Sequence, residues 1–111
     1  MPGYNRNRVA EDIRREITVT IKDVKDPRVQ DKLLTVVRVT VSKDLSSAKV
    51  YISDLKGIES AKEATDAFNS AAGYIRREVA QKLRLRKAPE LQFIADDSVE
   101  QGVEMFKKLS G

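Results

Sequence analysis

The residues best equipped for chemistry lie between Ser70 and Pro89, where Arg76, Arg77, Lys82, Arg84, Arg86 and Lys87 stand against a single acid, Glu78. That window carries more positive charge than the net +4 of the whole 111-residue chain, so the remainder is slightly acidic. Gathered cations suit phosphate oxygens: arginine keeps its proton at neutral pH and offers a planar fork of donors, while lysine adds a point charge. The window opens with the small residues Ser70, Ala71, Ala72 and Gly73, which interrupt a helical pattern. Ile75, Val79 and Leu83 then resume it at steps of four until Pro89 stops it. On a wheel with Ile75 at zero, Val79 and Leu83 fall near about 40° and 80°, whereas Gly73, Arg77 and Arg84 fall at about 160° to 200°. Bare backbone at Gly73 is therefore expected in line with two guanidinium groups, at the start of a helix whose free N–H groups and dipole favour an anion. A nucleic-acid backbone could approach there closely. The plainer alternative makes Arg77 and Arg84 a solvated helix face and Gly73 a device for a tight turn or for close helix packing.

Other candidates are weaker. Arg8, Arg14 and Arg15 could extend the basic surface as a secondary RNA contact, but Glu11, Asp12 and Glu16 interleave with them and ion pairs along a helix explain the pattern equally well. Tyr51 could stack on a base, although cross-strand packing is the better reading. Enzyme chemistry has little to work with. The chain holds no cysteine and no histidine, which removes thiolate metal sites, disulfides and the usual general base. Asp96 and Asp97 are adjacent, so on a strand they point apart, and no phosphate-binding loop or dinucleotide fingerprint occurs. No catalytic activity, cofactor or metal is expected. With 41% hydrophobic and 34% charged residues, and no apolar run near the ~20 needed to cross a bilayer, the chain reads as soluble and cytoplasmic. Its opening residues lack the apolar core of a secretion signal. A pI of about 9.4 fits an anionic partner.

The elements that must position these groups follow from periodicity. Val9, Ile13, Ile17 and Ile21 draw one stripe along a first helix, which Asn5 or Asn7 is placed to cap and which fades near Asp23 ahead of Asp26-Pro27. Residues 1–5 are expected to be a short flexible N-terminus, and Lys25 to Lys32 an exposed charged loop. Leu33 to Val41 reads as a strand burying Val37, Val39 and Val41. Ser42 to Ser46 turns into a second strand burying Ala48, Val50 and Ile52, and the two should pair as an antiparallel hairpin. Ser60 with Glu63 has the capping-box pattern and opens a helix whose inner face is Ala61, Ala64, Phe68 and Ala71 or Ala72. The interrupted basic helix follows. Leu91, Phe93 and Ala95 then alternate in a third strand, and Asp97 or Ser98 caps a last helix carrying Val99, Val103, Phe106 and Leu109. Three strands, each with one apolar face, and amphipathic helices to cover them make a single α+β domain over residues 1–111, with a three-stranded sheet and helices on one face.

In this order and spacing, Arg8-Val9-Ala10, Ile13-Arg14-Arg15-Glu16-Ile17, Lys25-Asp26-Pro27-Arg28-Val29, Asp44-Leu45-Ser46 before Ala48-Lys49-Val50-Tyr51-Ile52-Ser53, Ala71-Ala72-Gly73-Tyr74-Ile75-Arg76, Leu83-Arg84-Leu85-Arg86, Pro89-Glu90-Leu91 and Asp96-Asp97-Ser98 resemble the ribosome-binding factor A family, bacterial small-subunit assembly factors. The resemblance spans nearly the whole chain. It implies a type II KH-like domain (α-β-β-α-kink-α-β plus a C-terminal helix), in which an Ala-x-Gly kink, here Ala71-Ala72-Gly73, replaces the usual Gly-x-x-Gly loop. It implies RNA binding through that kink and the flanking cations, association of a monomer with immature free small (30S) ribosomal subunits near the decoding region, and contact with 16S rRNA. It further implies support of late 16S rRNA processing, notably in the cold as part of cold adaptation, no catalysis, and release involving a ribosome-associated GTPase. Two features depart from the family: Gln30-Asp31-Lys32 stand where a glycine often follows Asp-Pro-Arg, and the sequence stops at Gly111 where some members carry a longer tail. The rival readings are a free-standing single-strand RNA module and a protein-interaction adaptor using an exposed strand edge.

Overall fold

Residues 6–97 are described by the computed structural model. Helix α1 (Arg6–Thr20) leads through short 3-10 turns at Ile21–Asp23 and Pro27–Val29 into strands β1 (Leu34–Val41) and β2 (Ser47–Asp54). Helices α2 (Ile58–Ser70) and α3 (Ala72–Lys82) and strand β3 (Glu90–Ala95) complete the order. The expected flexible N-terminus, a cap at Asn5 and the last helix fall outside the described residues; Asn7 lies inside α1 and so does not cap it.

Helix α1 buries the expected stripe of Val9, Ile13, Ile17 and Ile21. Its end is weakened as β-branched residues weaken helices: the Thr18 and Thr20 hydroxyls donate to the carbonyls of Arg14 (2.7 Å) and Glu16 (2.9 Å). The segment 25–32, expected as a plain charged loop, is partly built. The Asp26 carboxylate accepts from the Arg28 N–H at 2.8 Å and caps the second 3-10 turn. Asp31 takes the left-handed conformation (φ 60°) that glycine would otherwise supply. Lys32 turns inward, its side chain only 10% exposed.

Strand β2 is central, antiparallel to β1 and parallel to β3. Val36 pairs with Ile52 and Arg38 with Tyr51, so Val37 is the extra residue of a β-bulge. The bulge corrects the strict alternation expected of β1: Val36, Val39 and Val41 are buried, and Val37 is only partly so. Ala48, Val50 and Ile52 face the core as expected, and Phe93 of β3 meets Phe68 of α2 with ring centroids 5.4 Å apart. All three helices cover this face. Arg38, Thr40, Lys49 and Gln92 are exposed on the other, where the Arg38 guanidinium lies 4.2 Å over the Tyr51 ring. Tyr51 is thus a cross-strand packing residue.

The capping box expected at Ser60 and Glu63 does not form. Gly57, with φ 114°, occupies the cap, and Ser60 lies within α2. Its hydroxyl instead donates to Oδ2 of buried Asp54 at 2.6 Å and accepts from Lys32 Nζ at 2.6 Å. A tertiary polar chain has taken the side chain that local pattern would have given to the helix end.

Candidate nucleic-acid interface

The break between α2 and α3 is one residue wide and falls at Ala71 (φ −99°, ψ 11°). Its N–H is shared between the carbonyls of Ala67 and Phe68, both at 3.1 Å, and its own carbonyl accepts the first bond of α3 from Ile75 at 3.0 Å. Ala71 and Ala72 pack partly buried against the core. That contact with the core gives the two small residues a structural role at the break. Asn69 fixes the break to the sheet: the Phe93 N–H donates to its Oδ1 (2.8 Å) and its Nδ2 donates to the Phe93 carbonyl (3.0 Å). Sequence reasoning missed Asn69, because a polar residue on the last turn of a helix carries no periodic signal.

Gly73 behaves differently from either plain account of it. It lies inside α3 with no positive φ, so no turn requires glycine, and a Cβ built there would meet nothing within 4 Å, so no packing requires it. A glycine in a helix costs roughly 0.5–1 kcal/mol relative to alanine. What it provides at this exposed position is smooth backbone, one turn from exposed Arg77 on the same face. Tyr74 follows, 41% exposed, at the edge of a hollow of about 270 Å³ lined also by Asp23, Asp26 and Ser70. Lys25 lines the same hollow, and the Arg28 guanidinium pairs with Asp26 at 2.9 Å, so its charges are mixed, whereas the Gly73–Arg77 side presents a cation beside bare backbone. Tyr74 is an exposed ring beside the glycine that sequence reasoning passed over.

At its other end α3 closes in a Schellman motif. The Leu85 N–H donates to the Ala80 carbonyl (2.9 Å) and the Arg84 N–H to that of Gln81 (3.3 Å). Arg84 is the left-handed residue of that motif, with φ 54°. It therefore leaves the helix and does not share the face of Gly73 and Arg77 that the wheel gave it. Arg86 and Lys87 follow on the exposed segment before Pro89. Arg76 is turned to a structural use, since its Nε and Nη2 donate to the Ala88 carbonyl at 3.0 and 2.9 Å. The side chains of Arg77, Lys82, Arg84, Arg86 and Lys87 make no hydrogen bond or ion pair among the described residues. On α1, Arg14 forks onto Glu11; that bond holds the Glu11 carboxyl below its usual value and pushes the Arg14 guanidinium up. Arg8 and Arg15 are exposed on the same helix. No buried side-chain nitrogen or oxygen among the described residues lacks a partner, so no stranded acid or base waits in the interior.

Three helices on one face of a three-stranded sheet, with an Ala-x-Gly break between two of them, define a type II KH-like module, a class in which a short inter-helix segment lies against nucleotide backbone. The chain belongs to the ribosome-binding factor A family, whose family model matches residues 5–109. It is 41% identical over 112 residues to ribosome-binding factor A of Desulfitobacterium hafniense, covering 100% of this chain and 88% of that protein. The crystal structure of ribosome-binding factor A from Thermus thermophilus is similar with a TM-score of 0.71 at 28% identity, over 82% of this chain and 94% of the other. A homology model of the same Thermus thermophilus protein, fitted into a cryo-EM map of its complex with the 30S subunit, matches with a TM-score of 0.68 at 28% identity, over 83% and 96% of the two chains. Among the described residues no helix is long and apolar enough to cross a membrane.

Proposed function

We propose that this chain, as a single KH-like domain spanning residues 1–111, binds the small ribosomal subunit through 16S rRNA. It acts as a non-catalytic cytoplasmic monomer on immature free subunits and supports late 16S rRNA maturation, including growth in the cold, with a ribosome-associated GTPase aiding its release. The observation that carries the reading is the unforced glycine at position 73, one turn from Arg77, on a segment whose five exposed cations are engaged by no described protein group. Ala71 and Ala72 shape the break, Gly73 admits the phosphate backbone, and Arg77, Lys82, Arg84, Arg86 and Lys87 attract it. Arg76 serves by holding the loop, and Arg8 and Arg15 lend a secondary contact from α1. Family membership and the 30S complex of the Thermus thermophilus relative support the choice of partner. Such backbone contacts weaken steeply with salt.

Sedimentation of lysate tests this. The protein should travel with small subunits and little with complete ribosomes, and Arg77→Glu combined with Arg84→Glu should abolish that co-migration while the fold persists. Equal distribution over all ribosomal peaks, or absence from the small-subunit peak, would sink the proposal. Binding that withstands the double reversal would move the contact to another surface, with α1 the first candidate.

A further inference from the structure

The segment after α3 and the turn between β1 and β2 meet around a pocket whose cations belong to the phosphate-attracting cluster but whose apolar walls have no part in that reading. Its volume is about 230 Å³, and it is lined by Val9, Leu45, Leu85, Arg86, Lys87 and Pro89. The walls are apolar and the two cations stand among them. Hydrogen bonds also frame the pocket. The Glu90 N–H donates to the Ser46 carbonyl at 2.9 Å, tying the segment to the hairpin turn, and Arg76 grips the Ala88 carbonyl from the other side. Leu45, in the pocket wall, holds a left-handed backbone (φ 61°). Left-handed conformation is costly for a side chain such as leucine, and such cost concentrates where a site must keep its shape. The volume is below the ~300–1,000 Å³ of sites for drug-sized ligands, which leaves room for one planar ring system.

We propose that this pocket receives a single unstacked base of the RNA, held between Leu45, Leu85, Val9 and Pro89, with the phosphate of that nucleotide on Arg86 and Lys87. The inference rests on the RNA-binding reading above and assigns it a subsite that touches a base as well as backbone. An apolar pocket with a cationic rim matches the two halves of a nucleotide, a flat apolar ring face and an anionic phosphate. Recognition of unpaired RNA relies on splaying bases out of the stack in this way. The apolar walls grip a ring face without reading its edge, so little preference among the four bases is expected.

Methyl-labelled protein titrated with the four nucleoside 5′-monophosphates, and separately with ribose 5-phosphate, decides the matter by NMR. The nucleotides should shift the methyl signals of Val9, Leu45 and Leu85 in a saturable way, whereas ribose 5-phosphate should disturb only the amides around Arg86 and Lys87. Methyls unmoved by every nucleotide, or moved equally by ribose 5-phosphate, overturn the proposal. Leu45→Gly supplies a second arm, because glycine suits the backbone at that position while removing one wall. Affinity for small subunits should fall about tenfold, in the range of losing one buried leucine side chain, and the nucleotide-induced shifts should vanish. A Leu45→Gly protein that binds subunits like the unaltered chain overturns the base pocket and leaves the subunit reading standing. Failure of the unaltered chain to bind subunits instead strikes the subunit reading itself.

Discussion

The guanidinium of Arg76 closes on the carbonyl oxygen of Ala88 with two hydrogen bonds, 3.0 Å from Nε and 2.9 Å from Nη2. Twelve positions apart in sequence, the two residues pin the segment carrying Arg86 and Lys87 to α3. One member of the basic cluster is therefore used to hold the others in place. A carbonyl left without its charged donor beside a buried alanine should cost ~1–3 kcal/mol. Arg76→Met is accordingly expected to lower the urea midpoint clearly, while Arg77→Met, at an exposed site one position on, should stay within ~0.5 kcal/mol of the unaltered protein. Equal effects in urea titrations of the two variants would contradict this division of labour.

A second contrast concerns the start of α2. Ser60 links buried Asp54 to Lys32 through two 2.6 Å hydrogen bonds, whereas Glu63 stands 3.8 Å from Lys32 Nζ with its side chain 63% exposed. Removing the hydroxyl leaves an inward-turned ammonium and a buried carboxylate oxygen each short of a partner. Ser60→Ala should destabilise by ~1–3 kcal/mol, and Glu63→Ala by under ~0.5 kcal/mol. A capping box would make both substitutions matter, so chemical denaturation of the pair distinguishes the two arrangements.

These cases mark where local pattern stops informing. The stripe of α1, the alternation of β2 and β3 and the opposed apolar face of α3 were legible because each buries side chains at the period of its own element. Val37 was misplaced because a bulge inserts one residue without altering composition. Ser60 was misread because its partners, Asp54 and Lys32, lie 6 and 28 positions away. The same limit explains Arg76 and Asn69, whose partners sit 12 and 24 positions on. Arg84 was placed on the helical face because nothing in a wheel says where the helix ends, and arginine in the left-handed position of a Schellman motif is not the glycine that normally signals it. Clustered charge and a break among the small residues 70–73 were visible from residue type alone; that the break is confined to Ala71, with Gly73 inside α3 and unforced by the fold, needed the structure.

The turn between β1 and β2 should respond to acid. The Asp44 carboxylate accepts from the Ser46 hydroxyl (2.7 Å), the Ser42 hydroxyl (2.8 Å) and the Ser46 N–H (3.1 Å), and these donors hold its pKa down at about 2 against an ordinary 3.8. A carboxyl depressed on folding contributes its stabilisation fully above the unfolded value and loses it as pH falls through the folded one. The turn is therefore expected to be intact above about pH 4 and to loosen as pH drops toward 2. An NMR titration should show the Ser46 amide moving with a midpoint near 2, and Asp44→Asn should abolish that transition. A midpoint near the ordinary value would mean the three hydrogen bonds do not persist in solution.

Two substitutions at opposite ends of α3 should raise stability and lower binding together, which separates a functional residue from a merely tolerated one. Gly73→Ala adds a methyl where nothing lies within 4 Å and restores helix propensity, a gain of ~0.5–1 kcal/mol. Arg84→Gly relieves the left-handed backbone at φ 54°, where the residue costs roughly 1–2 kcal/mol, partly offset by the greater freedom of glycine in the unfolded chain. If the fold alone governed these positions, the stabler residues would serve equally well. Under the phosphate-contact reading the alanine methyl keeps the RNA backbone off the helix, and the lost guanidinium removes one charge from the salt-dependent attraction. Thermal melts paired with small-subunit sedimentation should therefore show a higher midpoint and weaker association for both. The salt dependence of association should flatten by about one phosphate contact for Arg84→Gly and stay unchanged for Gly73→Ala. Gain of stability with undiminished association in both variants would remove the break and the end of α3 from the interface.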